Sequence, residues 1–166
     1  MASYIHLYEY IPSAPTDLTQ EQIQIRQDIL EFKEGACPER IINDVTAAVR
    51  KALGEDRSNC TICFVPANRQ ELTVSRYADM AQSIGGEFEN MVYLNTIELS
   101  KNYDELLEED RAFVCNADRV RGKKVIFIDG IYNTGESYDK IVSLLHDSGS
   151  SDEYGIYIAK VIRKQG

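Results

Sequence analysis

The chain has 166 residues, of which 43% are hydrophobic and 27% charged, and its 27 acidic and 18 basic residues give a net charge of −9. A chain of this length suits one domain that buries about 70% of its unfolded surface. The negative charge argues against a nonspecific nucleic-acid-binding protein, whose affinity comes largely from Lys and Arg contacts to phosphates. We therefore expect one domain over residues 1–166 and no nucleic-acid partner.

Neither a membrane span nor a secretion signal is visible in the sequence. No segment approaches the ~20 consecutive apolar residues of a transmembrane helix. The first residues, Met1 to His6, lack a basic stretch followed by an apolar one. The expectation is a cytoplasmic protein with no membrane partner.

The first 55 residues predict one strand and two helices. Residues 4–11 alternate in hydrophobicity and are rich in β-forming residues. Thr19 and Gln22 have the spacing of a capping box, so a helix begins there. A second helix begins at Pro38 and ends at Gly54. We expect both helices to cover one face of a sheet.

Residues 60–65 predict the first core strand, which Pro66 ends. Cys60 and Cys63 form a C-x-x-C pattern, but a redox pair lies at a helix N-terminus, whereas a strand points these two side chains to opposite faces. No second pair or histidine cluster completes a zinc site. Buried structural thiols are therefore favoured over redox or metal chemistry.

A polar loop, Ala67, Asn68 and Arg69, follows that strand, and ligands of open α/β sheets gather at such strand ends. The same loop would be equally ordinary as a solvated turn. A helix containing Tyr77 and Ile84 comes next, and we expect Gly85 and Gly86 to end it. Residues 91–94 predict a second core strand.

Residues 95–121 form a long insertion in which the sequence predicts no strong strand. Residues 103–110 are compatible with a short acidic helix, most simply a solvated face. An insertion of this length is uncommon in a compact domain unless it acts as a lid or binding loop. It ends in a basic cluster, which either meets an anionic ligand or flanks the next strand as solubilising charges: Arg111, Arg119, Arg121, Lys123 and Lys124.

The most apolar segment of the chain, residues 125–128, predicts a strand buried on both faces and central in the sheet. We expect it to end at Asp129 and Gly130, with a helix following and Gly149 as its C-terminal cap. Residues 154–162 predict the last strand. Strands that alternate with helices predict an α/β fold, a Rossmann-like, mainly parallel sheet flanked by helices.

The turn at residues 133–137 is the strongest candidate site. Amides at a helix start point outward unpaired, the helix dipole adds positive charge, and Thr134 and Ser137 add hydroxyl donors. Residues 130–137 nearly match a P-loop, but Glu136 stands in place of its lysine, so a nucleotide triphosphatase is rejected. An ordinary strand-to-helix turn without a ligand remains open.

The sequence of strand, acid, apolar pair and Thr-Gly-x-Ser turn resembles the phosphoribosyl diphosphate motif of the type I phosphoribosyltransferases. Asp129 matches the first acid and Gly130 replaces the second, so the motif is divergent. Segments 64–69, 76–78 and 116–124 resemble the ComF-like branch of that family. Together the matches cover residues 60–163, with residues 1–55 ahead of this core and a flap at about 95–121.

The resemblance implies specific roles for the candidate residues. Phosphate binding is implied for the turn: Asn133, Thr134, Gly135, Glu136 and Ser137. Diphosphate binding is implied for Ala67, Asn68 and Arg69. Asp129 would be the catalytic residue, holding the ribose hydroxyls and supplying the one protein ligand of Mg²⁺. Asn133 stands where some members carry an Asp that acts on the nucleobase, and an amide cannot take a proton.

Two functions therefore remain. The first is a phosphoribosyltransferase that binds phosphoribosyl diphosphate or another ribose 5-phosphate compound and acts on an unidentified acceptor. The second is a non-catalytic binding or regulatory protein of the same fold, which Gly130 and Asn133 favour. In either case the partner is a phosphorylated small molecule, and assembly into a homodimer is left open.

Overall fold

The structure, a computed structural model, describes residues 2–12, 17–55, 57–89, 91–101 and 111–163. Within these ranges the elements are β1 (Ser3–Tyr10), α1 (Gln20–Lys33), α2 (Glu39–Leu53), β2 (Cys60–Phe64), α3 (Gln70–Glu87), β3 (Val92–Tyr93), β4 (Ile97–Leu99), β5 (Phe113–Cys115), β6 (Lys124–Tyr132), α4 (Glu136–Asp147) and β7 (Asp152–Val161). A short 3-10 helix covers Ala117–Arg119. None of the described helices is both long and apolar enough to cross a bilayer.

Five strands form a parallel sheet in the order β1-β7-β6-β2-β3. The predicted central strand is confirmed: Ile126 of β6 lies between Ile62 of β2 and Tyr154 of β7, and residues 125–128 are fully buried. The expected end of this strand at Asp129 and Gly130 is wrong. β6 continues to Tyr132 because β7 keeps pairing beside it, with Tyr132 opposite Lys160.

Each face of the sheet is covered by a separate apolar cluster. Helices α1, α2 and α3 pack on one face, against inward side chains such as Ile126 and Ile128, as expected for the first two helices. Helix α4 packs on the other face, against Val125 and Phe127. Alternation along β6 sends successive apolar residues to opposite faces, which explains why the whole run is apolar.

The cysteines follow the same alternation. All four are free thiols; Cys60 is half-buried on the α1–α3 face, and Cys63 is fully buried on the α4 face. Burial raises the pKa of Cys63, so its thiol stays protonated. The two cysteines of the C-x-x-C pattern therefore lie on opposite faces of the sheet, as expected for a strand.

Of the predicted helix ends, those at Thr19, Pro38, Gly54 and Gly149 agree with the structure, and the one at Gly85 and Gly86 does not. Thr19 Oγ1 accepts from the Gln22 amide at 3.1 Å, and the Thr19 amide donates to Gln22 Oε1 at 2.9 Å, which completes the capping box. Gly149, at φ +97°, caps α4. The prediction that Gly85 and Gly86 end α3 is wrong, because the helix runs to Glu87. Burial of Ile84 and Phe88 offsets the low helix propensity of the glycines.

The insertion also departs from expectation. Strands β4 and β5 pair antiparallel, although no strand was predicted between residues 95 and 121. Each has only three residues, too few for an alternation pattern. Their stability comes from packing on the α4 face, where Ile97 is buried. The predicted acidic helix at residues 103–110 lies outside the described residues.

Candidate functional site

A cleft of about 560 Å³ opens at the carboxyl ends of β1, β2, β6 and β7. This edge is where parallel α/β sheets bind ligands. Four strand ends contribute to the cleft, because Tyr10 and Pro12 at the end of β1 join residues at positions 65–69, 129–133 and 161–163. The end of α1 and the first half of α3 form a further wall, with Phe32, Leu72 and Arg76. Residues far apart in the sequence therefore meet around one cavity.

The lining of the cleft is strongly cationic, although the whole chain is acidic. Its described residues include a single carboxylate, Asp129, and five basic side chains: Lys33, Arg69, Arg76, Arg111 and Arg163. Low-dielectric walls around charges of one sign concentrate their field, so an anionic ligand is favoured here despite the net charge of −9.

The turn at residues 133–137 lies at one end of the cleft, and Asn133 and Ser137 belong to the lining. Ser137 is buried, while the side chains of Thr134 and Glu136 are exposed and stand outside the lining. Thr134 Oγ1 accepts from the Glu136 amide at 3.4 Å. The Glu136 carboxylate is therefore on the solvent side of the turn and adds no side chain to the lining of the cleft.

Gly135 sets the shape of this turn. It adopts φ +87° immediately before α4, a conformation that disfavours residues with a Cβ. A Cβ here would lie 2.6 Å from Oη of Tyr132. The glycine therefore allows the backbone to pass close to the Tyr132 ring, and it does not itself line the cleft.

The loop formed by Ala67, Asn68 and Arg69 lines the opposite side of the cleft, beyond β2. The Ala67 amide donates to Thr73 Oγ1 at 2.8 Å, and the Thr73 hydroxyl donates to the Arg69 carbonyl at 3.2 Å. Thr73, which sequence reasoning missed, thus fixes the loop. The only sequence signal for this contact was a threonine four residues after Arg69, which is the spacing of one helical turn. Arg69 is exposed, with Nη1 3.9 Å from Glu71 Oε1.

Asp129 stands on the floor of the cleft near the end of β6. Its Oδ1 accepts from the Gly130 amide at 2.7 Å. Tyr77 lies beneath it, and burial, with the charge of Asp129 next, raises the pKa of the Tyr77 phenol. Oη of Tyr77 has no hydrogen-bond partner among the described residues. The phenol therefore stays protonated below the cleft floor.

Two arginines that no motif singled out for ligand contact are held in fixed positions. Nη2 of Arg163 donates to Asn133 Oδ1 at 3.2 Å, which joins the end of β7 to the 133–137 turn. Arg76 on α3 donates from Nε to the Phe32 carbonyl at 3.0 Å and from Nη2 to the Lys33 carbonyl at 2.8 Å. Both positions depend on tertiary contacts that a linear pattern does not encode.

The basic cluster predicted at the end of the insertion is divided in the structure. Only Arg111 reaches the cleft. Its Nε is buried without a partner among the described residues, so that donor is available to an anion. Arg119 lies over the Tyr93 ring at 4.0 Å, and Arg121 is 3.5 Å from Asp118. Lys124 donates to the Ala52 carbonyl at the far end of β6.

The residues of the lining suit a metal ion only when that ion is already bound to an anionic ligand. No group of three metal-ligating side chains occurs in the described part of the chain. Mg²⁺ keeps most of its oxygen ligands from water and phosphates and needs few from the protein. Asp129 alone could supply one ligand to a Mg²⁺ already bound to a diphosphate.

Comparison with known proteins adds evidence on the fold. No protein-family model matches the sequence, and no curated protein is significantly similar to it. Among solved structures, a hypoxanthine phosphoribosyltransferase from Staphylococcus aureus matches at a TM-score of 0.50 and 11% identity, covering 84% of this chain and 75% of that chain. This chain has the type I phosphoribosyltransferase fold.

A second match is to the purine phosphoribosyltransferase from Pyrococcus horikoshii, at a TM-score of 0.48 and 13% identity. It covers 77% of this chain and 89% of that one. At identities this low, the comparisons extend to the fold and not to the residues of the site. The chemistry of this cleft must therefore be argued from its own side chains.

Proposed function

We propose that this protein binds a ribose 5-phosphate compound, such as phosphoribosyl diphosphate, in the cationic cleft. The observation that carries the proposal is the arrangement of five basic side chains around one carboxylate at the strand ends. The 5′-phosphate would bind the amides of residues 133–137 and the Ser137 hydroxyl, at the start of α4. A diphosphate would lie towards Asn68, Arg69 and the unpaired Nε of Arg111.

The proposed reaction is transfer of the phosphoribosyl group to an unidentified acceptor. When diphosphate leaves C1 of the ribose, positive charge develops on the sugar and negative charge on the leaving group. Asp129 would stabilise the first charge, and Arg69 and Arg111 the second. Bound Mg²⁺ would neutralise diphosphate oxygens. Positioning and charge stabilisation are sufficient for this step, which needs no strong protein base.

A non-catalytic binding protein of the same fold is the second candidate. Gly130 provides no second carboxylate, and Asn133 cannot take a proton from an acceptor. Both features weaken turnover without removing the cationic lining. Assembly into a homodimer is a further prediction, which sedimentation of the purified protein would test.

Calorimetric titration with ribose 5-phosphate tests the binding proposal. Gly135→Val forces a side chain into positive φ and onto Tyr132, so it should displace the turn and abolish measurable binding. Ser137→Ala removes one donor and should weaken binding about fivefold. Gly149→Ala is the matched control, because Gly149 also has positive φ but lies outside the cleft. Equal affinity of the parent and Gly135→Val would contradict the proposal.

A further inference from the structure

Arg76 lies in the wall of the cleft, where two hydrogen bonds and one aromatic ring contact hold its guanidinium. Nε and Nη2 donate to the carbonyls of Phe32 and Lys33 at the end of α1, and the guanidinium lies 5.2 Å from the centre of the Phe32 ring. Nη1 takes no hydrogen-bond acceptor from the described residues. The contacts that join α1 to α3 therefore account for two nitrogens of Arg76 and leave the third for a ligand.

The third nitrogen faces the end of β6 at Gly130. A Cβ on Gly130 would lie 3.9 Å from Nη1 of Arg76 and 3.4 Å from Cε1 of Phe32. Because Gly130 has no side chain, nothing from this position covers the guanidinium. The glycine is outside the positive-φ region, so backbone conformation does not demand it. The absence of a side chain at Gly130 therefore leaves Nη1 of Arg76 accessible from the floor of the cleft.

We propose that the ligand carries an anionic group on the 2′- or 3′-oxygen of its ribose, and that Nη1 of Arg76 beside Gly130 binds this group. The inference rests on the proposed function, which places the 5′-phosphate at residues 133–137. A sugar extending from that turn along the end of β6 brings a ring substituent to Gly130 and Arg76. A guanidinium has donors only and binds phosphate in a fixed planar geometry, so a phosphate on the 2′- or 3′-oxygen satisfies it better than a hydroxyl.

The carboxylate of Asp129, the residue next to Gly130, would repel a phosphate bound at this position. Its Oδ1 accepts from the Gly130 amide. The remaining charged residues of the lining are all basic, so five cations outweigh one carboxylate. The ligand class is therefore a ribose 5-phosphate compound with a further phosphate on the 2′- or 3′-oxygen, of which nucleoside 2′,5′- and 3′,5′-bisphosphates are representatives.

Competition binding with three matched nucleotides tests this inference. Adenosine 5′-monophosphate, adenosine 2′,5′-bisphosphate and adenosine 3′,5′-bisphosphate differ only in the ring phosphate. We expect the parent to bind one bisphosphate at least about tenfold more tightly than the monophosphate. Arg76→Gln should reduce this ratio towards one. Arg119→Gln, which removes a cation outside the cleft, should leave the ratio unchanged.

Gly130→Asp decides the outcome if Arg76→Gln does not fold. The new carboxylate would pair with Arg76 without disturbing its two bonds to α1, and the bisphosphate preference should disappear. Equal affinity of the parent for all three nucleotides overturns the inference, as does a preference that survives in either variant that folds. If ribose 5-phosphate still binds in those cases, the proposed function stands. If no nucleotide and no ribose 5-phosphate binds, both fail.

Discussion

Nη2 of Arg163 lies 3.2 Å from Oδ1 of Asn133, so the chain after β7 is hydrogen-bonded to the turn after β6. The two residues line the same cleft and come from neighbouring strands. The amide oxygen of Asn133 therefore holds the Arg163 guanidinium at the cleft, and accepting this hydrogen bond does not require a group that takes up a proton.

Replacement of Asn133 by Asp should weaken phosphate binding. The new carboxylate would pair with Arg163 and partly neutralise it, and it would add negative charge beside the 133–137 turn. We expect about tenfold weaker binding of ribose 5-phosphate, measured by calorimetry at low salt. Asn133→Ala should have a smaller effect, because it removes the hydrogen bond without adding charge. An affinity that is equal or higher in Asn133→Asp would contradict this role for Arg163.

Turnover is predicted to be slow. With Asp129 but no second carboxylate, the ribose diol loses a charge-assisted contact, which corresponds to roughly ten- to a hundredfold weaker binding of phosphoribosyl diphosphate. We expect little or no diphosphate release with common nucleobases, measured in a coupled assay with Mg²⁺. Gly130→Asp should tighten binding of phosphoribosyl diphosphate because it restores the second carboxylate. The backbone should tolerate the change, since Gly130 does not have a positive φ. A parent that binds it at least as tightly as a folded Asp variant would contradict this prediction.

Alanine at Gly85 or Gly86 should stabilise the protein. Both glycines lie inside α3, and an added Cβ meets no atom within 4 Å. Each replacement should raise the free energy of unfolding by about 0.5–1 kcal/mol, measured by urea denaturation. Gly155→Ala is the contrasting variant, because its Cβ would lie 2.8 Å from Cζ of Phe127 and overpack the core. Destabilisation by Gly85→Ala or Gly86→Ala would argue that α3 ends at the glycines.

Alkaline pH should destabilise the protein partly through Cys37. Burial, with the charge of Asp79 next, raises the pKa of the Cys37 thiol to about 11. The unfolded thiol titrates near pH 8.5, so its contribution is complete below about pH 8.5 and is lost as the pH rises towards 11. After allowance for solvent screening, we expect a loss of about 1–2 kcal/mol over this interval.

Unfolding by urea at several pH values measures this loss. Cys37→Ala should flatten the decline of stability between pH 8.5 and pH 11, and it should leave the pH dependence below that interval unchanged. If the parent and the variant decline with the same slope, the thiol of Cys37 is not responsible.

The parts of the fold that sequence predicts well are those with a local cause. Residues 125–128 are apolar on both faces, which only a central strand between two helical layers can bury. The capping box at Thr19 and the glycine cap at Gly149 also act within one or two turns of chain. Strands β4 and β5 were missed because their three-residue length gives no pattern and their pairing partner is distant in sequence.

The residues of the cleft likewise divide into those that a local sequence motif predicts and those that only the tertiary fold brings together. The 133–137 turn and Asp129 follow one strand, so a linear motif can point to them. Arg76 and Arg163 belong to α3 and to the end of β7, and only the packing of these elements around the sheet brings their guanidinium groups into one cavity. Sequence could identify them as basic residues but not as neighbours.

The pairing of β1 with β7 also constrains the order of folding. Ser3 lies opposite Tyr154 and Tyr10 opposite Val161, and among the strands that the structure describes β7 alone adjoins β1. On the ribosome, β1 emerges well before β7 and has no partner in the described sheet until β7 has been synthesised. During that interval its apolar side chains and unpaired backbone groups are exposed to other chains. An unpaired strand can pair with the strands of other chains, so the late synthesis of β7 leaves β1 open to such association.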